Sequence, residues 1–476
     1  MKIGIVASEA IPFSKTGGLA DVTGALFKEY TTLGEETFLF LPYYKATREL
    51  IKDLREEGKL KIKIGDENKE GRILSKEFNK NCKVIFIEQD EYFDRDKLYG
   101  TGDGDYIDNA ERFGFFDRAV IEAAKILNLE LDILHLNDWQ TGLIPIFIKE
   151  TGLKPKTLFT IHNLAYQGNF PSTKLEELGI DRQYFKVDGL EFYGSMSFIK
   201  SGIVYSDYIS TVSPTYAREI LTEEYGERLD GILRVKKNRL KGIINGIDYE
   251  VWNPETDPRI WKNYSLNSIE GKSENKARLG QELLLEIGRA PLLGFVGRLA
   301  TQKGVDILIE ALTKLLLEQD IKVVVLGTGE RKFEENLLEL QRKYPQSLKA
   351  VIGFDDALAH KIYASSDFFL MPSRYEPCGL GQLISMKYGT LPIARETGGL
   401  KDTVDNFNEF TQFGNGFLFY DYSADALLES IKKALGIYNN KEIFGMMRGI
   451  AMSCDFSWRR SARKYIELFK TMIEET

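Results

Sequence analysis

The side chains best suited to gripping a charged leaving group stand where apolar, strand-like runs end. Lys15-Thr16-Gly17-Gly18 follows KIGIVASEA, Asp138-Trp139 follows DILHLN, and His162-Asn163 follows TLFTI. Arg298 and Lys303 come after LLGFVG, and Glu376-Pro377-Cys378-Gly379-Leu380 comes after FFLMPSRY. In open α/β sheets, ligands bind beyond the C-terminal ends of the strands. Two cations beside glycine-rich turns suit a diphosphate, because Arg, Lys and backbone N–H groups neutralise the charge that grows as it departs. Glu376 and His162 offer polar partners for the hydroxyls of a transferred group. With three histidines and no C-x-x-C or H-x-x-x-H, the sequence has no dedicated metal cage. The cations must then do what a divalent ion does elsewhere.

Thr-Gly-Gly-Leu-x-Asp occurs twice, at 16–21 and 397–402. Each copy lies between a strand-like and a helix-like run, where backbone N–H groups at a helix start lack intrahelical partners. Both turns are expected to aim N–H groups into one shared cleft, with Thr397, Gly398 and Gly399 matching Thr16, Gly17 and Gly18. Singly, each feature has a plainer reading: a Gly-Gly pair as a tight turn, Glu376-Pro377 as a helix start, Cys378 as a small buried thiol. His135, inside a strand, and His360, in a helical pattern, read as structural.

The positioning elements follow from hydrophobic pattern. Apolar runs at 2–8, 37–42, 83–88, 132–137, 156–163 and 208–213 form one series. A second is read from LKGIING (240–246) through 291–297, 322–327, 348–353, 368–373 and 390–395. Most are β-branched without alternation, as in parallel strands buried on both faces. Helix-like stretches at 111–127, 305–319 and 331–343 separate them, which predicts doubly wound α/β sheets. Residues 64–81 and 99–109 read as loops. The expected domains are 1–242, 243–455 and an amphipathic helix over 456–476.

At 476 residues with a net charge of -8, the chain is too long for one core, and its acidity argues against nucleic acid or an anionic membrane as partner. Three scattered cysteines suit a reducing cytoplasm, and no apolar run is long enough to span a bilayer. Among rival phosphate motifs, GTGERK (327–332) lacks the third glycine of a dinucleotide fingerprint. FDRD (93–96) and GDGD (102–105) are the weak candidates for an acidic metal site.

Taken together, KTGGLADV (15–22), HLNDWQT (135–141), IHN (161–163), NGID (245–248), GRLATQKG (297–304), SRYEPCGLGQL (373–383) and KYGTLPIARETGGLKDTV (387–404) resemble the bacterial glycogen synthases and plant starch synthases nearly end to end. The resemblance implies a GT-B architecture of two Rossmann-like domains facing a central cleft, with the last helix crossing back to the first domain. It implies transfer of glucose from a nucleotide-diphosphate glucose, ADP-glucose by the bacterial-type motifs, to the non-reducing end of an α-1,4-glucan such as glycogen. The α configuration would be retained, without metal or cofactor. Arg298 and Lys303 match the diphosphate pair and Lys15 the donor-binding lysine. Glu376 matches the glutamate at the sugar hydroxyls, and His162 and Asp138 the groups around the reacting centre. Asn245 and the Cys378-Gly379-Leu380 stretch fall on the donor side. Phe354 stands where the family places an aromatic ring against the base, here without a hydroxyl. Position 381 is glycine, so a phosphate contact there would come from backbone N–H. Tyr92, Phe93, Tyr99 and Tyr166 are candidate glucan seats. Rival readings are a sucrose synthase, a trehalose-forming enzyme, a phosphorylase, or a non-catalytic glucan-binding protein that kept the fold.

Overall fold

The computed structural model describes residues 1–101 and 104–475, and Gly102 and Asp103 of the GDGD loop lie outside them. The chain forms two compact units. Met1–Val212, Ala217–Ile243 and Trp458–Thr476 make the first; Ser213–Tyr216 and Ile244–Ser457 make the second.

The first unit is built on one sheet of β1 (Lys2–Val6), β2 (Glu36–Pro42), β3 (Arg55–Ile64), β4 (Glu67–Asn79), β5 (Cys82–Glu88), β6 (Ile133–Asn137), β7 (Lys156–Ile161), β8 (Tyr208–Thr211) and β9 (Leu240–Gly242). Its spatial order is β9-β8-β7-β6-β1-β2-β5-β4-β3. From β9 to β5 the pairing is parallel, and the side chains of β1 and β6 are almost wholly buried, as the unbroken apolar runs require. Two expectations are corrected here. Residues 67–79 are a strand, not a loop: β3 and β4 form an antiparallel hairpin, and β4 pairs with β5. The alternation Lys59-Leu60-Lys61-Ile62-Lys63-Ile64 marks a half-exposed strand with Leu60, Ile62 and Ile64 buried. The LKG run does not open a second series; it closes the first sheet as its edge strand beside β8.

Helices α1 (Gly18–Thr32), α2 (Asn109–Ile126), α3 (Ile144–Thr151) and α4 (Phe198–Tyr205) cover this sheet. In the second unit lie α5 (Glu270–Leu283), α6 (Val305–Glu318), α7 (Arg331–Lys343), α8 (Asp356–Ser365), α9 (Gly381–Lys387) and α10 (Gly398–Thr403), and the last helix, α11 (Trp458–Glu474), returns to the first unit. There the apolar face of α11 buries Trp458, Tyr465, Leu468, Phe469 and Met472. The Tyr465 and Phe469 rings lie 5.0 and 5.7 Å from the ring of His135. His135 also contacts Tyr30 and Thr160, so it belongs to the core.

The second unit carries an all-parallel sheet of β10 (Leu292–Val296), β11 (Lys322–Gly327), β12 (Leu348–Ile352), β13 (Phe368–Met371), β14 (Leu391–Arg395) and β15 (Phe417–Phe419), ordered β12-β11-β10-β13-β14-β15. Behind it a buried lysine ties three helices. Lys272 of α5 donates to the carbonyls of Ala364 at the end of α8 (3.1 Å) and of Tyr388 just after α9 (2.9 Å), and to Thr390 Oγ1 (2.6 Å). Carbonyls at helix C-termini lack intrahelical donors, and this buried amine, whose pKa burial holds well below the ordinary lysine range, supplies them. His360 is buried too, held by Asp257 at 2.6 Å and stacked on Trp252 with ring centroids 3.8 Å apart.

Candidate functional site

In the second unit the loops after β10, β13 and β14 interlock. Gly304 has φ +71, and a Cβ there would collide with the carbonyl oxygen of Pro372. That close approach seats the Thr301–Lys303 turn against the segment after β13. Lys303 Nζ consequently reaches Glu376 Oε2 at 2.6 Å, while Ser373 Oγ donates to the same oxygen at 2.9 Å. Gln302 does the adjoining work. Its Oε1 accepts from Arg298 Nη2 (2.9 Å), its Nε2 donates to the Tyr375 carbonyl (3.0 Å), and its carbonyl accepts from the Arg374 N–H (2.9 Å). Sequence reasoning passed over Gln302, whose one signal was its place between Arg298 and Lys303.

Glu376-Pro377 does not start a helix, contrary to the plainer reading; α9 begins only at Gly381. Between them the chain turns through Gly379 at φ +74. Gln382 Nε2 pins that turn by donating to the Cys378 and Gly379 carbonyls, both at 3.0 Å. Among the described residues the N–H groups of Gly379, Leu380 and Gly381 make no hydrogen bond. They are open donors, as a helix start requires. Burial pushes the Cys378 thiol up to about 12, against a hydrogen bond from the backbone of Asn245. Among the described residues the Asn245 Oδ1 is buried without a partner. Phe354, just after β12, stands nine-tenths exposed.

The two Thr-Gly-Gly turns are not equivalent, which corrects the expectation that both offer N–H groups to a ligand. Gly398 (φ +44) and Gly399 are buried, and a Cβ on either would strike the backbone of Glu376 or Cys378. The Gly399 N–H is spent on the carbonyls of Glu376 (3.1 Å) and Pro377 (3.2 Å), and the Thr397 N–H on that of Arg395 (2.9 Å). This copy braces the Glu376–Leu380 loop from beneath. In the first unit, Gly17 and Gly18 face open space, and the N–H groups of Gly18 and Leu19 make no hydrogen bond among the described residues.

The first turn is held by a residue the sequence reading did not single out. Glu9, buried just past β1, accepts the Thr16 N–H and the Thr16 hydroxyl. Burial raises its carboxyl above the ordinary range, while the donors of Thr16 and Gly17 pull it down. Lys15 pairs with Asp21 of α1 at 2.7 Å and keeps about half its side chain exposed.

Asp138 and His162 meet at the ends of β6 and β7. The His162 N–H donates to Asp138 Oδ1 at 2.8 Å, and Asp138 sits at φ +58, a conformation that non-glycine residues adopt at a cost. Burial pushes the Asp138 carboxyl up to about 7; the His162 and Asn163 N–H groups oppose it and the Glu9 charge adds to it. Burial takes the His162 ring down to about 3, so it is neutral at pH 7. Asn137 Nδ2 donates to the Val6 and His135 carbonyls, both at 3.1 Å, which turns its Oδ1 toward His162 Nε2 at 3.0 Å. The ring proton therefore sits on Nε2 and leaves Nδ1 as an acceptor.

The acidic residues of FDRD do other work: Asp96 pairs with Lys45 at 2.7 Å and Asp94 lies 3.9 Å from Arg48. Among the described residues no group of three or more His, Cys, Asp or Glu could hold a metal ion, and no helix is long and apolar enough to cross a membrane. Tyr92 and Phe93 are buried in an aromatic cluster and cannot seat a glucan.

Comparison with known proteins agrees with this arrangement. Residues 2–235 match the family model for the starch synthase catalytic domain and residues 284–445 that for glycosyl transferases group 1. Glycogen synthase of Thermodesulfovibrio yellowstonii is 48% identical, with 100% of this chain and 98% of that protein aligned. Glycogen synthase of Syntrophotalea carbinolica is 45% identical, over 100% and 99%. Among solved structures, the catalytic domain of starch synthase IV from Arabidopsis thaliana, bound to ADP and acarbose, superposes with a TM-score of 0.89 at 32% identity over 99% of each chain. Sucrose-phosphate synthase from Thermosynechococcus elongatus shares the fold alone, at a TM-score of 0.61 and 16% identity over 100% of each chain. With relatives this similar along its whole length, the chain belongs to the glycogen synthase family, glucosyltransferases of the GT-B fold.

Proposed function

We propose that the protein transfers glucose from ADP-glucose to the non-reducing end of an α-1,4-glucan, and that the residues joined around Lys303 and Glu376 bind the donor. Arg298, Lys303 and the open N–H groups of Gly379–Gly381 take the diphosphate. Glu376 holds the sugar hydroxyls, Phe354 stacks on the base, and the unpartnered Asn245 Oδ1 accepts a donor hydroxyl. Thr397, Gly398 and Gly399 support that loop, and the buried Cys378 side chain takes no part in the chemistry. Lys15 and the open N–H groups of Gly18 and Leu19 act on the same donor, Lys15 being released from Asp21.

The C1–oxygen bond to the diphosphate breaks as its growing charge is met by fixed cations and amides. The acceptor hydroxyl forms the new bond on the face the diphosphate vacates, which keeps the α configuration, and its proton passes to the departing phosphate oxygen. The products are ADP and a glucan one unit longer. Asp138, ionised, stabilises the positive charge at the sugar, and the neutral His162 accepts a sugar hydroxyl at Nδ1. The cations neutralise the leaving group without a metal ion, and the acidic, cysteine-poor composition suits the cytoplasm.

The observation that carries the assignment is the Lys303–Glu376 contact beside three open amides in a chain of this family. Purified protein incubated with glycogen and either ADP-glucose or UDP-glucose should release nucleotide and extend α-1,4 chains, with ADP-glucose preferred by about tenfold or more. Release from neither donor would overturn the reading, and a preference for UDP-glucose would overturn the choice of base.

A further inference from the structure

From three residues past His162, within the first unit, the chain lines a second recess. A cavity of about 380 Å³ is lined by Gln167, Asn169, Phe192, Glu227 and Arg228 among others. Its floor is fixed. Gly168 has φ +58, and a Cβ there would collide with the Trp139 ring; its carbonyl accepts the Phe198 N–H at 3.0 Å. Gln167 Nε2 donates to the Glu227 carbonyl and Asn169 Nδ2 to Gln167 Oε1, both at 2.9 Å. Tyr193, 73% exposed, stands at the rim with the Arg228 guanidinium 5.5 Å from its ring centroid.

Three non-glycine residues with left-handed backbone gather at this recess: Tyr193 (φ +50), Glu227 (φ +49) and Arg228 (φ +67). Such strain persists only where the surroundings impose it, and it concentrates at ligand clamps. The chemistry selects a ligand class. Glu227 and Arg228 cancel in charge, which disfavours an anion. Amide, carboxylate and guanidinium groups supply both the donors and the acceptors that hydroxyls need, and the exposed Tyr193 ring suits the apolar faces of pyranoses. We propose that this recess is a subsite for the acceptor, holding a segment of α-linked glucan chain through its hydroxyls. The inference rests on the glucan-extending activity proposed above.

The test uses the full-length protein with Asn169→Ala and with Tyr193→Asn, a replacement that tolerates the left-handed backbone. At saturating ADP-glucose, the KM for maltoheptaose should rise about fivefold or more, with the KM for ADP-glucose and the Tm unchanged. Calorimetric titration with maltoheptaose, without donor, should show a matching loss of affinity. Maltoheptaose KM and Kd both within about twofold of wild type would overturn the subsite. A wild-type protein that transfers nothing from ADP-glucose would defeat the activity instead, and the donor-free titration would still decide the recess.

Discussion

Lys303 Nζ and Glu376 Oε2 stand 2.6 Å apart, so the cation proposed for the diphosphate neutralises the carboxylate proposed for the sugar. A donor that brings phosphate oxygens to one and hydroxyls to the other exchanges this pair without creating an unpaired buried charge. The two residues should therefore behave as a unit. Lys303→Ala is expected to lower kcat by about a hundredfold, the scale of losing one preorganised contact. Glu376→Gln should lower it too, with the Tm unchanged. In the double variant the losses should fall well short of multiplying, because the first substitution already breaks the pair. Steady-state kinetics on the three proteins check this; a single variant with most of its turnover would remove that residue from the donor site.

The contrast between the two Thr-Gly-Gly turns predicts opposite consequences for the same substitution. Gly399→Ala forces a methyl group into the Cys378 backbone and should lower the Tm by about 5 °C or more, with a parallel loss of turnover. Gly17→Ala places its methyl in open space at φ -150, so the Tm should stay within about 1 °C. Thermal melts of the pair decide whether one turn is a brace and the other a rim.

Asp138 titrates near pH 7, and the proposed reaction needs its ionised form, so kcat should rise through that pH and the step should vanish in Asp138→Asn. Replacing Glu9 with Gln removes a like charge and should move the step to lower pH, partially, because burial is the larger cause. The stability sign is fixed as well. The folded carboxyl holds its proton above its ordinary 3.8, so wild type should lose stability relative to Asp138→Asn as pH rises from about 4 to about 7. A pH–rate profile without a step near 7 would refute the role given to Asp138.

With its thiol pushed up to about 12, Cys378 is almost wholly protonated at pH 8. Iodoacetamide should leave it unlabelled while the fold persists and label the half-buried Cys454 first, as read by peptide mass spectrometry. Rapid labelling of Cys378 in folded protein would show the Glu376–Leu380 loop to be open.

Continuous apolar runs and glycine punctuation made the parallel strands and the loops of the candidate site legible, because a strand buried on both faces has few alternative sequences. The β3–β4 hairpin escaped notice because its exposed face is charged, and Lys59, Lys61 and Lys63 disguise the alternation beneath. The candidate site was legible through its charged residues and not through those that hold them. Glu9 and Gln302 act by contacts 7 and 73 residues away, to Thr16 and Tyr375, that no local pattern encodes. The second Thr-Gly-Gly matches the first in letters, yet only the packing beneath Glu376 and Cys378 shows that its glycines are there to fit and not to bind.

The return of α11 to the first unit sets an order on biosynthesis. Tyr465 and Phe469 complete the packing around His135 and Tyr30, yet the ribosome delivers them only after every residue of the second unit. The amino-terminal half thus emerges with a missing wall and must wait, partly unsealed, until α11 has been made. A chain stopped short of Trp458 would leave that gap permanently open to chaperones and proteases, so premature termination is caught by the half of the molecule that was made first.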